Sequence, residues 1–186
     1  GAFATLRVVL YVFGPKLARE CGGATILAWM AVATILISSL IALKKDNLKA
    51  RLAFSTIGQL SYIVLGIAIL SPLSTAGALY HLVAHAFMKI TLFMCAGAIF
   101  VTTHKKDISE MVGLGRRMPV TMSAFTIASL GIAGFPFFVG FVSKANIIMG
   151  ALKTGQLLFG ATLIVSAVLA LTYLMPVVLI TFKREP

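Results

Sequence analysis

Three side chains in the run Tyr80-His81-Leu82-Val83-Ala84-His85-Ala86-Phe87-Met88-Lys89 can handle protons, and their spacing brings them together. His81, His85 and Lys89 recur at intervals of four, which on an α-helix puts all three on one stripe with only a small angular drift. Imidazole titrates near neutral pH, and an amine taken out of water gives up its proton more readily than a hydrated one, so such a stripe can carry protons. Waters can link steps too long for direct contact. Two blander readings stand beside this one. The histidines can hydrogen-bond a neighbouring helix while Lys89 snorkels, or His81 and His85 can hold zinc, although no carboxylate or thiolate joins the stripe. Lys144, ending Phe137-Phe138-Val139-Gly140-Phe141-Val142-Ser143-Lys144, is a second candidate, with a lysine snorkelling to the interface as its alternative. Lys49 and Arg51 open a third, a polar run through Ser55, Thr56, Gln59, Ser61 and Tyr62 that can line a hydrated entrance. Basic residues at such an edge also serve simply to set topology.

The elements that hold these residues must live in lipid. Of 186 residues, 60% are hydrophobic and only 11% charged, with a mean hydropathy of +1.03, which leaves a water-soluble fold no polar coat. A bilayer core takes about 20 apolar residues per helix and offers the backbone no water, so helices are predicted and open sheets excluded. Residues 24–43 are apolar on every face, unlike the short alternating segments of an outer-membrane barrel. Apolar runs fall at residues 1–14, 24–43, 52–70, 76–101, 120–152 and 157–182. The first is too short to span alone, which predicts a truncated N-terminus, and it lacks the basic start and cleavage site of a signal peptide. The fifth is too long for one ordinary crossing and too short for two with a turn. At its centre stands Gly131-Ile132-Ala133-Gly134-Phe135-Pro136, where proline removes a backbone donor and the glycines loosen the helix. The spacing predicts one crossing by a broken helix, hinged at Gly131, Gly134 and Pro136 and unwound near residues 134–137. The fold class is therefore all-α, a polytopic transmembrane bundle of about six crossings, with residues 1–186 forming one transmembrane domain.

Charge placement supports that topology. The net charge of +11 is gathered in short clusters between apolar runs, which reads as orientation rather than as a nucleic-acid site. A single broken crossing puts Lys44, Lys45, Lys49, Arg51, Lys105, Lys106, Arg116, Arg117, Lys183 and Arg184 on one side, with Lys16, Arg19 and Lys153 opposite. The rich side should face the cytoplasm. Lys89 then lies about 24 Å along its helix from Lys105, near the middle of the membrane, where a charged group is costly and hence a functional candidate. Glu20, Asp46, Asp107, Glu110 and Glu185 all fall in loops or at ends, so a relay within this chain is built from bases alone. Cys21 and Cys95 are given no role. No nucleotide loop, metal cluster or nucleophile constellation appears, so neither cofactor nor metal is expected, nor catalysis by this chain itself.

Four stretches carry a resemblance. Asn47-Leu48-Lys49-Ala50-Arg51-Leu52-Ala53-Phe54-Ser55-Thr56-Ile57-Gly58-Gln59 resembles DLKRxLAYSTxxQ, and His81-Leu82-Val83-Ala84-His85-Ala86-Phe87-Met88-Lys89-Ile90-Thr91-Leu92-Phe93 resembles HLxxHAFFKALLF. Gly113-Leu114-Gly115-Arg116-Arg117-Met118-Pro119 resembles GGLGRKMP, and Gly134-Phe135-Pro136 through Lys144 resembles GxPPxxGFxSK. These motifs, in this order, are those of the antiporter-like subunits shared by respiratory complex I and the multisubunit sodium/proton antiporters of the multiple-resistance-and-pH type. The resemblance implies a larger fold of two inverted repeats, each with a broken helix, and a midplane line of lysines and histidines that passes protons. Residues 1–14 would be the tail of the first repeat and residues 24–182 the second. His81, His85 and Lys89 would be the second repeat's relay, Lys144 the lysine of its broken helix and Lys49 the lysine near its inner approach. Asn47 stands where an aspartate is usual, and Ala145 where an acid often follows the lysine. The implied function is a proton-translocating subunit of a multisubunit monovalent cation/proton antiporter. The alternatives are a proton-pumping membrane-arm subunit of NADH-quinone oxidoreductase or a related membrane hydrogenase, and a structural subunit with an inactive channel. The implied setting is multi-pass in a bacterial cytoplasmic (inner) membrane, among other membrane subunits, with protons and sodium as candidate ions.

Overall fold

The computed structural model describes residues 1–183, so Arg184 and Glu185 of the charge count lie outside the described residues. The chain enters as α1 (Ala2–Arg7), a π-helical stretch Val8–Phe13 and α2 (Gly14–Glu20). Leu6 packs on Ile63, Ile67 and Ala78, which ties this entry segment to the helices that follow. α3 (Gly23–Lys44), α4 (Leu48–Ala68), α5 (Pro72–Thr103), the short α6 (Leu114–Arg117), α7 (Pro119–Ala133), α8 (Val139–Lys153) and α9 (Leu157–Phe182) complete the bundle. Among the described residues α3, α4, α5 and α9 are each long and apolar enough to cross a membrane, while α7 and α8 are too short to do so singly.

Local chemistry sets the helix ends. Asn47 caps α4, its Oδ1 accepting from the Ala50 N–H at 3.1 Å, which satisfies one orphan donor of the first turn. α5 begins with Pro72 in its first turn, where a missing N–H costs nothing, and stops at His104, whose φ of 56° cannot continue a helix. Its 32 residues give a rod about 48 Å long, more than the bilayer core needs. Tyr80, Val83, Phe87, Ile90 and Met94 form its exposed stripe, apolar because lipid is the solvent there. His81, His85 and Lys89 lie on the buried side.

The broken helix crosses once, antiparallel to α5. Met122 and Phe125 of α7 share an apolar cluster with Ala96 and Ile99 of α5, and Gly131 lies against Met88. Farther along, Ser143 of α8 meets His81, and Gly150 meets Ser74. A Cβ on Gly150 would stand 2.6 Å from the Ser74 Cβ, so the absence of a side chain is what lets the two helices touch. Small residues of this kind are the usual means of close packing where lipid gives helices no hydrophobic reason to associate.

The basic loops gather at one end. The Leu48 N–H donates to the Lys106 carbonyl and the Ile108 N–H to the Asp46 carbonyl, so residues 44–51 and 102–119 are stitched together. Gly115 packs against the Phe182 ring, which brings the end of α9 to the same side. Two apolar clusters fill the interior. One contains Leu52, Leu92, Phe125, Ala133 and Tyr173, the other Val32, Tyr62, Ile147, Phe159 and Leu163. Between them every packed helix contributes polar groups or a break: Ser39 of α3, Ser55 and Gln59 of α4, the His81–Lys89 stripe of α5, residues 134–144 and Ser166 of α9. The interior is thus two apolar layers with a polar layer between.

Candidate functional site

Lys89 sits in that middle layer, 5% exposed, with its Nζ donating to the Leu52 carbonyl at 3.1 Å and to Ser55 Oγ at 2.8 Å. A snorkelling lysine would turn its amine to an interface; this one turns it to α4. The Ser55 oxygen also accepts from the Tyr173 hydroxyl at 3.0 Å, so one hydroxyl joins α4, α5 and α9.

Lys144 is held by the helix break. An α-helix leaves its last four carbonyls without partners. At the end of α7 the Phe135 N–H returns to the Leu130 carbonyl at 3.0 Å and the Gly134 N–H to the Gly131 carbonyl at 3.2 Å, a Schellman ending that needs the left-handed φ of 87° at Gly134. Two carbonyls remain, and Lys144 Nζ donates to both: Ile132 at 2.5 Å and Ala133 at 3.2 Å. A cation at a helix C-terminus is also favoured by the helix dipole. Gly134 and Pro136 lie in the unwound stretch, whereas Gly131 remains in the helix. Phe137 carries a φ of 77°, a costly backbone state for a non-glycine residue.

The imidazoles bridge the two amines. His81 and His85 stack with centroids 5.9 Å apart, and His81 Nδ1 lies 3.0 Å from Ser143 Oγ, next to Lys144. Tyr62 stacks on His81 at 5.5 Å, and its ring lies 5.0 Å from Lys144 Nζ. Lys144 therefore stands beside His81, with its amine turned inward to the end of α7. Among the described residues His81 Nε2, His85 Nδ1 and Gln59 Oε1 are buried without a hydrogen-bond partner. Buried polar atoms of this kind ordinarily take water, and a proton wire needs water at such points.

Of the residues singled out from sequence, His81, His85, Lys89 and Lys144 come together. Lys49 does not. It is exposed at the basic end, with its amine 4.6 Å from the Phe100 ring centroid. Its neighbour Arg51 is the buried one, with Nε donating to the Lys45 carbonyl at 2.7 Å and Nη1 to the Tyr173 carbonyl at 2.9 Å. Pro176 lies three residues on; without an N–H it leaves the neighbouring Thr172 carbonyl short of its helical partner, and Arg51 donates to the next carbonyl of the same turn. Tyr173 and Ser143 were not marked by sequence. The available signals were Pro176, three residues after Tyr173, and the position of Ser143 beside Lys144 inside a quoted motif.

Fold and site together define a polytopic helical membrane subunit with a buried line of cationic side chains. The family model described as NADH:quinone oxidoreductase/Mrp antiporter, transmembrane, matches residues 1–170, and the chain belongs to that family. Subunit N of NADH-quinone oxidoreductase from Desulforudis audaxviator is 40% identical over 182 residues, which are 95% of this chain and 35% of that protein. Subunit L from Mycobacterium tuberculosis is 41% identical over 157 residues, 82% of this chain and 24% of the relative. Among solved structures, the Mrp complex from Dietzia sp. DQ12-45-1b aligns with 100% of this chain and 34% of its own at a TM-score of 0.93 and 29% identity. Respiratory complex I from Thermus thermophilus with bound NADH aligns with 99% of this chain and 38% of its own at 0.87, and its 24% identity shows likeness of fold. The chain thus spans 35% of the length of its subunit N relative.

Proposed function

We propose that this chain is the proton-conducting part of a subunit of a multisubunit monovalent cation/proton antiporter, in which Lys89, His85, His81 and Lys144 pass protons through the middle of the membrane. The observation that carries the reading is the pair of buried amines, Lys89 and Lys144, with two stacked imidazoles between them and unpartnered ring nitrogens beside them. Buried charge in a membrane helix is expensive, and a structural role needs no such line. Residues 24–182 would form one inverted repeat, with residues 1–14 the tail of another, in a bacterial cytoplasmic membrane and in contact with further membrane subunits. Likeness to the Mrp complex along the whole chain supports the antiporter setting. A second setting, the membrane arm of NADH-quinone oxidoreductase, is supported by the likeness to subunit N.

The test uses the full-length protein in its assembled complex, in sealed vesicles. Lys89→Met keeps much of the side-chain length and removes the titrating group, so assembly should persist while proton flux collapses. Lys89→Arg should fail too, because arginine does not release its proton. Near-normal flux in an assembled Lys89→Met complex would reject the relay and favour an inactive structural channel. Flux driven by a sodium gradient marks the antiporter, and flux driven by NADH marks the oxidoreductase.

A further inference from the structure

We infer that the hydroxyls of Tyr173 and Ser55 deliver protons to Lys89 from the basic end of the bundle; this rests on Lys89 being a proton carrier. The Ser55 oxygen accepts from Lys89 Nζ at 2.8 Å and from the Tyr173 hydroxyl at 3.0 Å, and both hydroxyl residues are buried, 1% and 2% exposed. One turn before Ser55, Arg51 joins the Tyr173 carbonyl to that of Lys45 in the basic loop. Arg51 thus ties the turn of α9 that bears Tyr173 to the basic end, and the Tyr173 hydroxyl reaches one turn deeper to Ser55, the partner of Lys89. Lys49, exposed and turned to Phe100, lies off this line.

The observed pattern, with both donors pointing into Ser55, suits a charged Lys89. When Lys89 is neutral its nitrogen can accept instead. A proton from water at the basic end then arrives at the Tyr173 oxygen, the Tyr173 proton moves to the Ser55 oxygen, and the Ser55 proton moves to Lys89 Nζ. Each hydroxyl gains one proton and loses one, so neither is left charged and nothing is oxidised. Ser55 touches the carrier; Tyr173 acts through Ser55, and Arg51 is a positioning residue that fixes the turn bearing Tyr173. The ionisable groups that face the pair are Lys89 on α5, bonded to Ser55, Arg51 on α4, bonded to the Tyr173 carbonyl, and Tyr62 on α4, which interacts electrostatically with Tyr173.

Proton flux is measured for Tyr173→Phe, Ser55→Ala, the double variant and Lys89→Met, each in the assembled complex in vesicles. Both single changes should lower flux on the order of a hundredfold, the low end of what positioned proton transfer contributes. Flux should also fall more steeply than in the wild type as pH at the basic end rises from about 6 to about 8, because proton supply becomes limiting. Since the two hydroxyls act in series, the double variant should be no slower than the slower single one. Tyr173→Phe keeps the ring and decides the matter if Ser55→Ala fails to assemble. Flux in Tyr173→Phe that is near normal, or lowered equally at every pH, overturns this route while leaving Lys89 as the carrier. Near-normal flux in Lys89→Met fails the relay itself.

Discussion

Lys144 does two things with one amine, and they can be separated. Its charge satisfies the Ile132 and Ala133 carbonyls that end α7, and its proton can leave toward the histidines beside it. Lys144→Arg keeps a permanent charge for the carbonyls but releases no proton, so the complex should keep its thermal stability and lose its flux. Lys144→Met leaves two buried acceptors unpaired, each costing about 1–3 kcal/mol, so melting temperature and flux should both fall. Equal melting temperatures for the wild type and Lys144→Met would reject the capping role. His85→Gln should reduce flux less than Lys89→Met, because water can bridge a missing imidazole. Spacing made the His81, His85 and Lys89 stripe legible, since four-residue intervals on a helix admit one geometry. Arg51 was less legible for a physical reason: hydropathy cannot tell which of two neighbouring basic residues turns inward, and that depended on a carbonyl acceptor in α9, far off in sequence.

At the level of elements, length and turn chemistry showed the broken helix. Fifteen-residue halves on either side of Gly134 and Pro136 are what a single crossing interrupted by unwinding leaves. The helix ends were harder to read, because apolar runs stop where polar residues begin and caps are polar. α4 therefore starts at Leu48 behind Asn47, ahead of the apolar run at residue 52. Likewise the entry segment passes through a π-helical stretch, Val8–Phe13, that a hydropathy pattern does not encode, and continues as α2 from Gly14 to Glu20. Contact between α5 and α8 rests on glycine, which gives a direct test. Gly150→Ala would set a Cβ 2.6 Å from the Ser74 Cβ and 2.7 Å from its backbone nitrogen, so the helices must part. Overpacking of this kind costs about 1–3 kcal/mol and should draw Ser143 away from His81. Thermal unfolding of the complex should shift downward with flux reduced; an unchanged midpoint would mean that the contact is loose.

Across the whole molecule, charge and polarity are arranged along one axis. Lys44, Lys45, Lys49, Arg51, Lys105, Lys106, Arg116, Arg117 and Lys183 lie at the end where the stitched loops meet, while Lys16, Arg19 and Lys153 lie at the other. That asymmetry was legible from sequence once the fifth apolar run was counted as one crossing, and the pairing of residues 44–51 with 102–119 supplies the contacts that sequence could not. Cytoplasmic loops carry the excess of lysine and arginine, so the basic end should face the cytoplasm. Cys21 is exposed at the join of α2 and α3, on the opposite end, and Cys95 is buried, so the chain holds its own reporter. A membrane-impermeant maleimide applied to intact cells should label Cys21. In a Cys21→Ser background, Lys153→Cys should label from outside and Lys105→Cys only after the cells are permeabilised. Labelling of Lys105→Cys in intact cells, with Lys153→Cys protected, would invert the molecule in the membrane. Protons reaching Lys89 past Arg51 and Tyr173 would then come from the outer face.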